Sequence, residues 1–302
     1  MMPPATIAYL ELPAEQIGIQ APRHRASDIR IGQVTLQISD LERSLTFYQN
    51  VLGFQILGRS DMQAQLGTTD GNVLLELHEK PGVRFAPHRG RLGIYHFALL
   101  LPSRGDLGRF LAQALAQGVH VGQSDHHYSE ATYLVDPDGI SIEVYRDRPR
   151  EDWLITNEGE VIGGGDPLDL NALKEAAGQQ AWLGLPVGTI LGHLHFYIGD
   201  LEQAARFYHE GLGFAKMTWN FPGALFLGAN GYHHHIGLNT WAAGSAPSGD
   251  DDARLLTWDL ILPDQASLNA TKDSLEQAGF TAVLERSSDP WGIEVRLKLE
   301  NK

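Results

Sequence analysis

The chain repeats itself, and a repeat of this length limits the fold more than any other feature of the sequence. The stretch from Ile31-Gly32-Gln33 to Asp40-Leu41-Glu42, followed by Phe47-Tyr48 and Leu52-Gly53-Phe54, recurs as Leu191-Gly192-His193, Asp200-Leu201-Glu202, Phe207-Tyr208 and Leu212-Gly213-Phe214. A second match pairs Leu99 to Pro102 with Leu260 to Pro263, Gly118 with Gly279, and Asp136-Pro137 with Asp289-Pro290. A fainter echo within the first half sets Gln33 over His96 and Phe47 over Phe110. Four modules follow, near 31–80, 94–146, 190–240 and 255–299.

Each module reads alike. Val34 to Ile38 alternates apolar and polar residues as a half-buried strand does, and Asp40 stands where a helix N-cap belongs. Leu41, Leu45, Tyr48 and Leu52 then share one helical face, and Gly53 ends the helix before a strand at Phe54 to Leu57. Two more short strands complete the unit, the last at Val73 to His78 in module one and at Ser141 to Tyr145 in module two, after the turn Asp136-Pro137-Asp138-Gly139. The expected class is α+β: four βαβββ modules forming two cup-shaped, paired-module barrels. The division expected is an N-terminal extension over 1–30, a two-module domain over 31–146, a linker with a short helix over 147–189, and a second two-module domain over 190–302. The linker carries Gly163-Gly164-Gly165 and three prolines, Pro149, Pro167 and Pro186.

Composition narrows the function. Thirty-seven acids against 23 bases leave a formal charge of -14, which repels phosphate backbones and anionic lipid. No nucleic acid and no membrane partner is expected. With no signal-peptide pattern and no long apolar run, a cytoplasmic protein is expected. The absence of cysteine removes disulfides and thiolate chemistry, while 13 histidines leave imidazole-based metal binding open. A homo-oligomer is compatible with all of this.

The entry Asp40-Leu-Glu-Arg-Ser-Leu-Thr-Phe-Tyr-Gln-Asn-Val-Leu-Gly-Phe54 and the exit Asp136-Pro-Asp-Gly-Ile-Ser-Ile-Glu-Val-Tyr145 resemble the vicinal oxygen chelate superfamily. That superfamily includes glyoxalase I, fosfomycin resistance proteins and extradiol ring-cleaving dioxygenases. The strings Ile94 to Pro102, Asp125 to Gly139 and Gly231 to Trp241 resemble its two-domain, catechol 2,3-dioxygenase-like members. The resemblance implies cups built from two modules around one divalent metal. Ligands would lie on the first and last strand of each module, and the substrate would chelate the metal through two adjacent oxygens.

Carried onto this chain, the resemblance implies ligand positions Gln33 and Glu76, His96 and Glu143, His193 and His235, and Thr257 and Arg296. If chain neighbours pair, Gln33, Glu76, His96 and Glu143 form a glyoxalase I-like set. If modules two and three pair, His96, Glu143, His193 and His235 converge and contain the two-His-one-carboxylate set of non-haem iron enzymes. The second pairing is preferred because it sets Glu76 against Arg296 in the other cup and leaves no charge unpaired there.

Tyr133, ten residues before Glu143, stands where extradiol members of the family carry an active-site tyrosine. His126 and His235 are candidate proton carriers. Strand alternation would aim His233 with His235 and His234 away, which makes His233, Asn239 and Trp241 candidate substrate contacts. The function expected is an extradiol dioxygenase acting on a catechol-like small molecule and O2. The metal expected is Fe(2+), with Mn(2+), Zn(2+) or Ni(2+) as alternatives. The rival readings are a glyoxalase I-like isomerase or lyase, and a non-enzymatic small-molecule-binding protein.

Overall fold

A computed structural model describes residues 7–8 and 12–300. Strand β1 (Ile7–Ala8) begins the described chain. Module one comprises β2 (Arg30–Ile38), α1 (Leu41–Phe47), β3 (Gln55–Arg59), β4 (Gln63–Gly67) and β5 (Val73–Glu79). Module two comprises β6 (Gly93–Leu100), α2 (Arg104–Ala116), β7 (Gly122–Asp125), β8 (Ser129–Val135) and β9 (Ser141–Asp147). The linker contributes β10 (Ile155–Thr156), which pairs with β1, and α3 (Leu170–Ala177). Module three is β11 (Ile190–Tyr197), α4 (Leu201–Ala205), β12 (Ala215–Thr218), β13 (Ala224–Gly228) and β14 (Ile236–Asn239). Module four is β15 (Arg254–Leu262), α5 (Gln265–Gln277), β16 (Arg286–Ser288) and β17 (Glu294–Leu299), one strand fewer than its siblings.

The modules share one helix-start chemistry. Asp40, Ser103, Asp200 and Asp264 are N-caps whose side chains accept from the backbone N–H of Arg43, Asp106, Gln203 and Ser267, satisfying a donor that the first helical turn leaves free. In modules one and three the helix loosens into a π-turn, Tyr48–Leu52 and Arg206–Gly211. The chain then reverses through Gly53 and Gly213, both left-handed at φ 82 and 88.

Strands pair across the halves. One sheet has the order β12-β13-β14-β11-β6-β9-β8-β7 and so joins modules three and two through the antiparallel β11–β6 ladder. The other has the order β16-β17-β15-β2-β5-β4-β3 and joins modules four and one through β15–β2. The main apolar core, with Trp258, Tyr48, Tyr208, Phe97, Phe110 and Phe196 fully buried, lies behind both sheets. It also joins modules within each half: Tyr48 donates to Asp136 at 2.9 Å and Tyr208 to Asp289 at 3.2 Å.

The linker closes the first sheet. Val161 N–H donates to the Met217 carbonyl beside edge strand β12, and Asp166 exchanges two backbone hydrogen bonds with Asp125 on edge strand β7. At the β12 end, buried Glu160 accepts from the backbone N–H groups of Trp219 and Asn220 and from the Asn220 amide, each at 2.7 Å. Among the described residues no helix is long and apolar enough to cross a membrane.

Candidate metal centre and its cavity

His96 and Glu143 project from parallel neighbours β6 and β9, and His193 projects from β11 across the antiparallel ladder. Their donor atoms converge. Glu143 Oε2 lies 3.1 Å from Nε2 of each histidine, and the two Nε2 atoms are 3.3 Å apart. All three side chains are buried. Bonds of about 2.1 Å to a common ion set adjacent ligand atoms about 3.0 Å apart in an octahedron and about 3.4 Å apart in a tetrahedron, so this spacing fits a divalent metal. It is the one group of three or more such donors found among the described residues.

Electrostatics agree with a cation site. Burial alone would raise Glu143, but the adjoining His193 and His96 hold it well below the usual carboxylate range. Burial pushes His193 down to about 4, which keeps its ring neutral and able to ligate.

A cavity of about 250 Å³ opens over the three donors. Tyr95, Phe221, Phe226 and Trp241 give it aromatic walls, while His126, Tyr133, His195 and His234 add polar atoms. His126 Nδ1 lies 2.7 Å from the Gly164 carbonyl in the linker, and its Nε2 lies 2.6 Å from the Tyr133 hydroxyl. A carbonyl only accepts, so Nδ1 carries a hydrogen, and Nε2 and the Tyr133 hydroxyl form the second hydrogen bond. Tyr133 stands opposite Glu143 in the β8–β9 ladder, and burial together with that carboxylate raises its phenol well above the ordinary value.

The structure places the remaining expected residues elsewhere. His235 lies outside the donor group, with its ring against Tyr232 and Phe214 and its Nδ1 accepting from Ala229 N–H. Register explains this: Glu143 pairs with Ala98, Glu76 with Thr35 and Arg296 with Asp259, so the matching partner of His195 in module three is Gly237. A Cβ at Gly237 would meet the His195 ring at 2.8 Å, so the position admits no ligand. His233 does not line the cavity but hydrogen-bonds Asp147, and Asn239 donates to His195 Nε2 at 3.0 Å. Trp241 does line it.

Alternation fails over the triple histidine because β14 starts only at Ile236; 229–235 is a turn, and it is His234 that reaches the cavity. Gln33 and Glu76 hydrogen-bond each other in the other sheet, apart from His96 and Glu143. The expected Glu76–Arg296 ion pair is corrected. Arg296 Nε donates to buried Asp259 at 2.5 Å, where Lys298 also binds at 2.7 Å, and Glu76 instead lies 2.6 Å from His78.

His195 and His234 were missed in the sequence. For His195 a signal exists, since it continues the β11 alternation two residues beyond His193. For His234 none does, because its aim depends on an irregular turn.

Comparison with known proteins agrees with this architecture. The model of the Glyoxalase/Bleomycin resistance protein/Dioxygenase superfamily matches residues 30–144 and 190–294. A Catechol-2,3-dioxygenase of Bacillus subtilis (strain 168) is 44% identical over 257 residues, covering 84% of this chain and 90% of that protein. Among solved structures, a presumed dioxygenase of Bacillus subtilis superposes with a TM-score of 0.62 at 12% identity, covering 92% of this chain and 87% of the other. Glyoxalase I of Zea mays superposes with a TM-score of 0.54 at 16% identity, covering 89% and 92%. At such identities the two structures show a shared fold. The repeated modules, the family match over both halves and the extent of the 44% identity together establish that the chain belongs to the glyoxalase/bleomycin resistance protein/dioxygenase superfamily.

Proposed function

We propose that the protein is a metal-dependent extradiol dioxygenase that uses O2 to open the ring of a catechol-like small molecule. The observation that carries this reading is the buried convergence of His96, His193 and Glu143 beneath an aromatic-walled cavity. The 44% identity to a Catechol-2,3-dioxygenase supports it. The triad would hold the metal, Fe(2+) in this reading. When bound, that ion would supply the Lewis acidity and redox chemistry needed to activate O2 and a substrate with two vicinal oxygens.

The rest is the work of the chain. Tyr95, Phe226 and Trp241 give the ring of a flat substrate aromatic faces to pack on and keep water from it. His234, with its ring against His193 at 4.3 Å, takes a hydroxyl proton at Nε2. Tyr133 keeps its proton, since its phenol is raised, and His126 holds the phenol in place through Nε2.

The test is oxygen uptake by Fe(2+)-reconstituted protein with catechol, alongside the absorbance of the ring-opened product. One O2 consumed per product formed supports the proposal. Metal-loaded protein that consumes no O2 with catechol or ring-substituted catechols overturns it.

A further inference from the structure

Behind His234 runs a line of hydrogen bonds, buried between the two rings and half-buried at its carboxylate, that the reaction as described leaves unused. His234 Nδ1 lies 2.8 Å from His233 Nδ1, and His233 Nε2 lies 2.9 Å from Asp147 Oδ1. Asp147 ends β9, the same strand that carries Glu143. The His233 ring has no freedom to turn. Its side chain is 0% exposed, it stacks on Tyr128 at 4.3 Å and 13°, and it meets Trp153 edge-on at 5.2 Å.

The chemistry of the donors reads in one direction. A carboxylate only accepts, so His233 carries its hydrogen on Nε2. With that one hydrogen on His233, its Nδ1 is a lone pair, and the hydrogen between the two rings belongs to His234 Nδ1. With Nδ1 occupied behind the wall, His234 keeps a lone pair on Nε2. His195 carries its hydrogen on the same nitrogen, but its Nε2 is already occupied. Asn239 Oδ1 accepts from Trp241 N–H, so its Nδ2 donates to His195 Nε2 and the hydrogen of His195 stays on Nδ1.

We propose that Asp147 and His233 are positioning residues that fix His234 in its Nδ1–H tautomer, so that His234 meets a substrate hydroxyl as an acceptor at Nε2. The catalytic consequence rests on the dioxygenase reading above, but the tautomer does not. The arrangement follows the general rule that a buried carboxylate selects the tautomer of a catalytic imidazole, here acting through a second imidazole.

Long-range 1H–15N correlation of histidine side chains in Zn(2+)-loaded protein reads the tautomer directly and needs no variant. The expected wild-type pattern is His234 protonated at Nδ1 and bare at Nε2; a hydrogen on Nε2 instead overturns the proposal. Asp147→Ala should lose that pattern, and in the Fe(2+) enzyme it should lower kcat about 10- to 100-fold with KM nearly unchanged. Asp147→Asn, whose amide oxygen still accepts from His233, should keep the tautomer and most of the rate. A wild-type pattern and rate in Asp147→Ala overturn the positioning role. Should the wild-type protein cleave no catechol at all, the dioxygenase reading falls and the nitrogen spectra alone decide this inference.

Discussion

His96, Glu143 and His193 come from three strands and both halves of the chain, so replacing any one removes a donor rather than a supporting contact. His96→Ala, Glu143→Ala and His193→Ala should each lower metal affinity at least about 10-fold, read as metal per chain after dialysis. His235→Ala should keep its metal, since that ring packs on Tyr232 and Phe214; an empty site in this variant would contradict the geometry. Tyr133→Phe should also keep the metal and lower kcat about 10-fold or more, because only the hydroxyl that meets His126 is lost. At this scale the family resemblance pointed to His96, Glu143 and His193, whose donor atoms converge. His235 was a misplaced expectation because counting residues cannot register a turn, and the partner that Gly237 provides has no side chain to notice.

Among the elements, the two turns that precede the last strands of modules two and four share a device. Buried Asp136 and Asp289 accept from backbone N–H groups of their own turns and from Tyr48 and Tyr208. Burial pushes their carboxyls up, to about 7 and about 6 from an ordinary 3.8. A carboxyl whose folded value is raised stabilises the fold most below the unfolded value and loses that contribution as pH rises through the folded one. Stability should therefore fall between about pH 4 and pH 7, and Asp136→Asn with Asp289→Asn should flatten this slope in urea unfolding across that range. A slope unchanged in the double variant would assign it to other groups. The helix starts were legible because an N-cap is a local signal: Asp40→Ala should cost about 1 kcal/mol, seen as a lower melting temperature.

Over the whole molecule, the linker turns an open sheet into an enclosed cavity. Glu160 anchors one end beside β12, and the other end exchanges hydrogen bonds with β7 while Gly164 holds His126. Glu160→Ala removes the carboxylate that the half-buried N–H groups of Trp219 and Asn220 meet, which should cost about 1–2 kcal/mol in thermal unfolding. It should also speed metal extraction by a chelator several-fold; extraction at the wild-type rate would mean the linker does not guard the cavity.

The sequence by itself determined the module, its helix caps and its strand periods, because each of these is written in spacing along one stretch of chain. The tertiary structure decided which modules share a cup, the Asp259 partner of Arg296, and the inward turn of His234. Those choices depend on strand register and on turns between distant segments. A shift of one residue in such a ladder sends every side chain to the opposite face, and no local pattern records it.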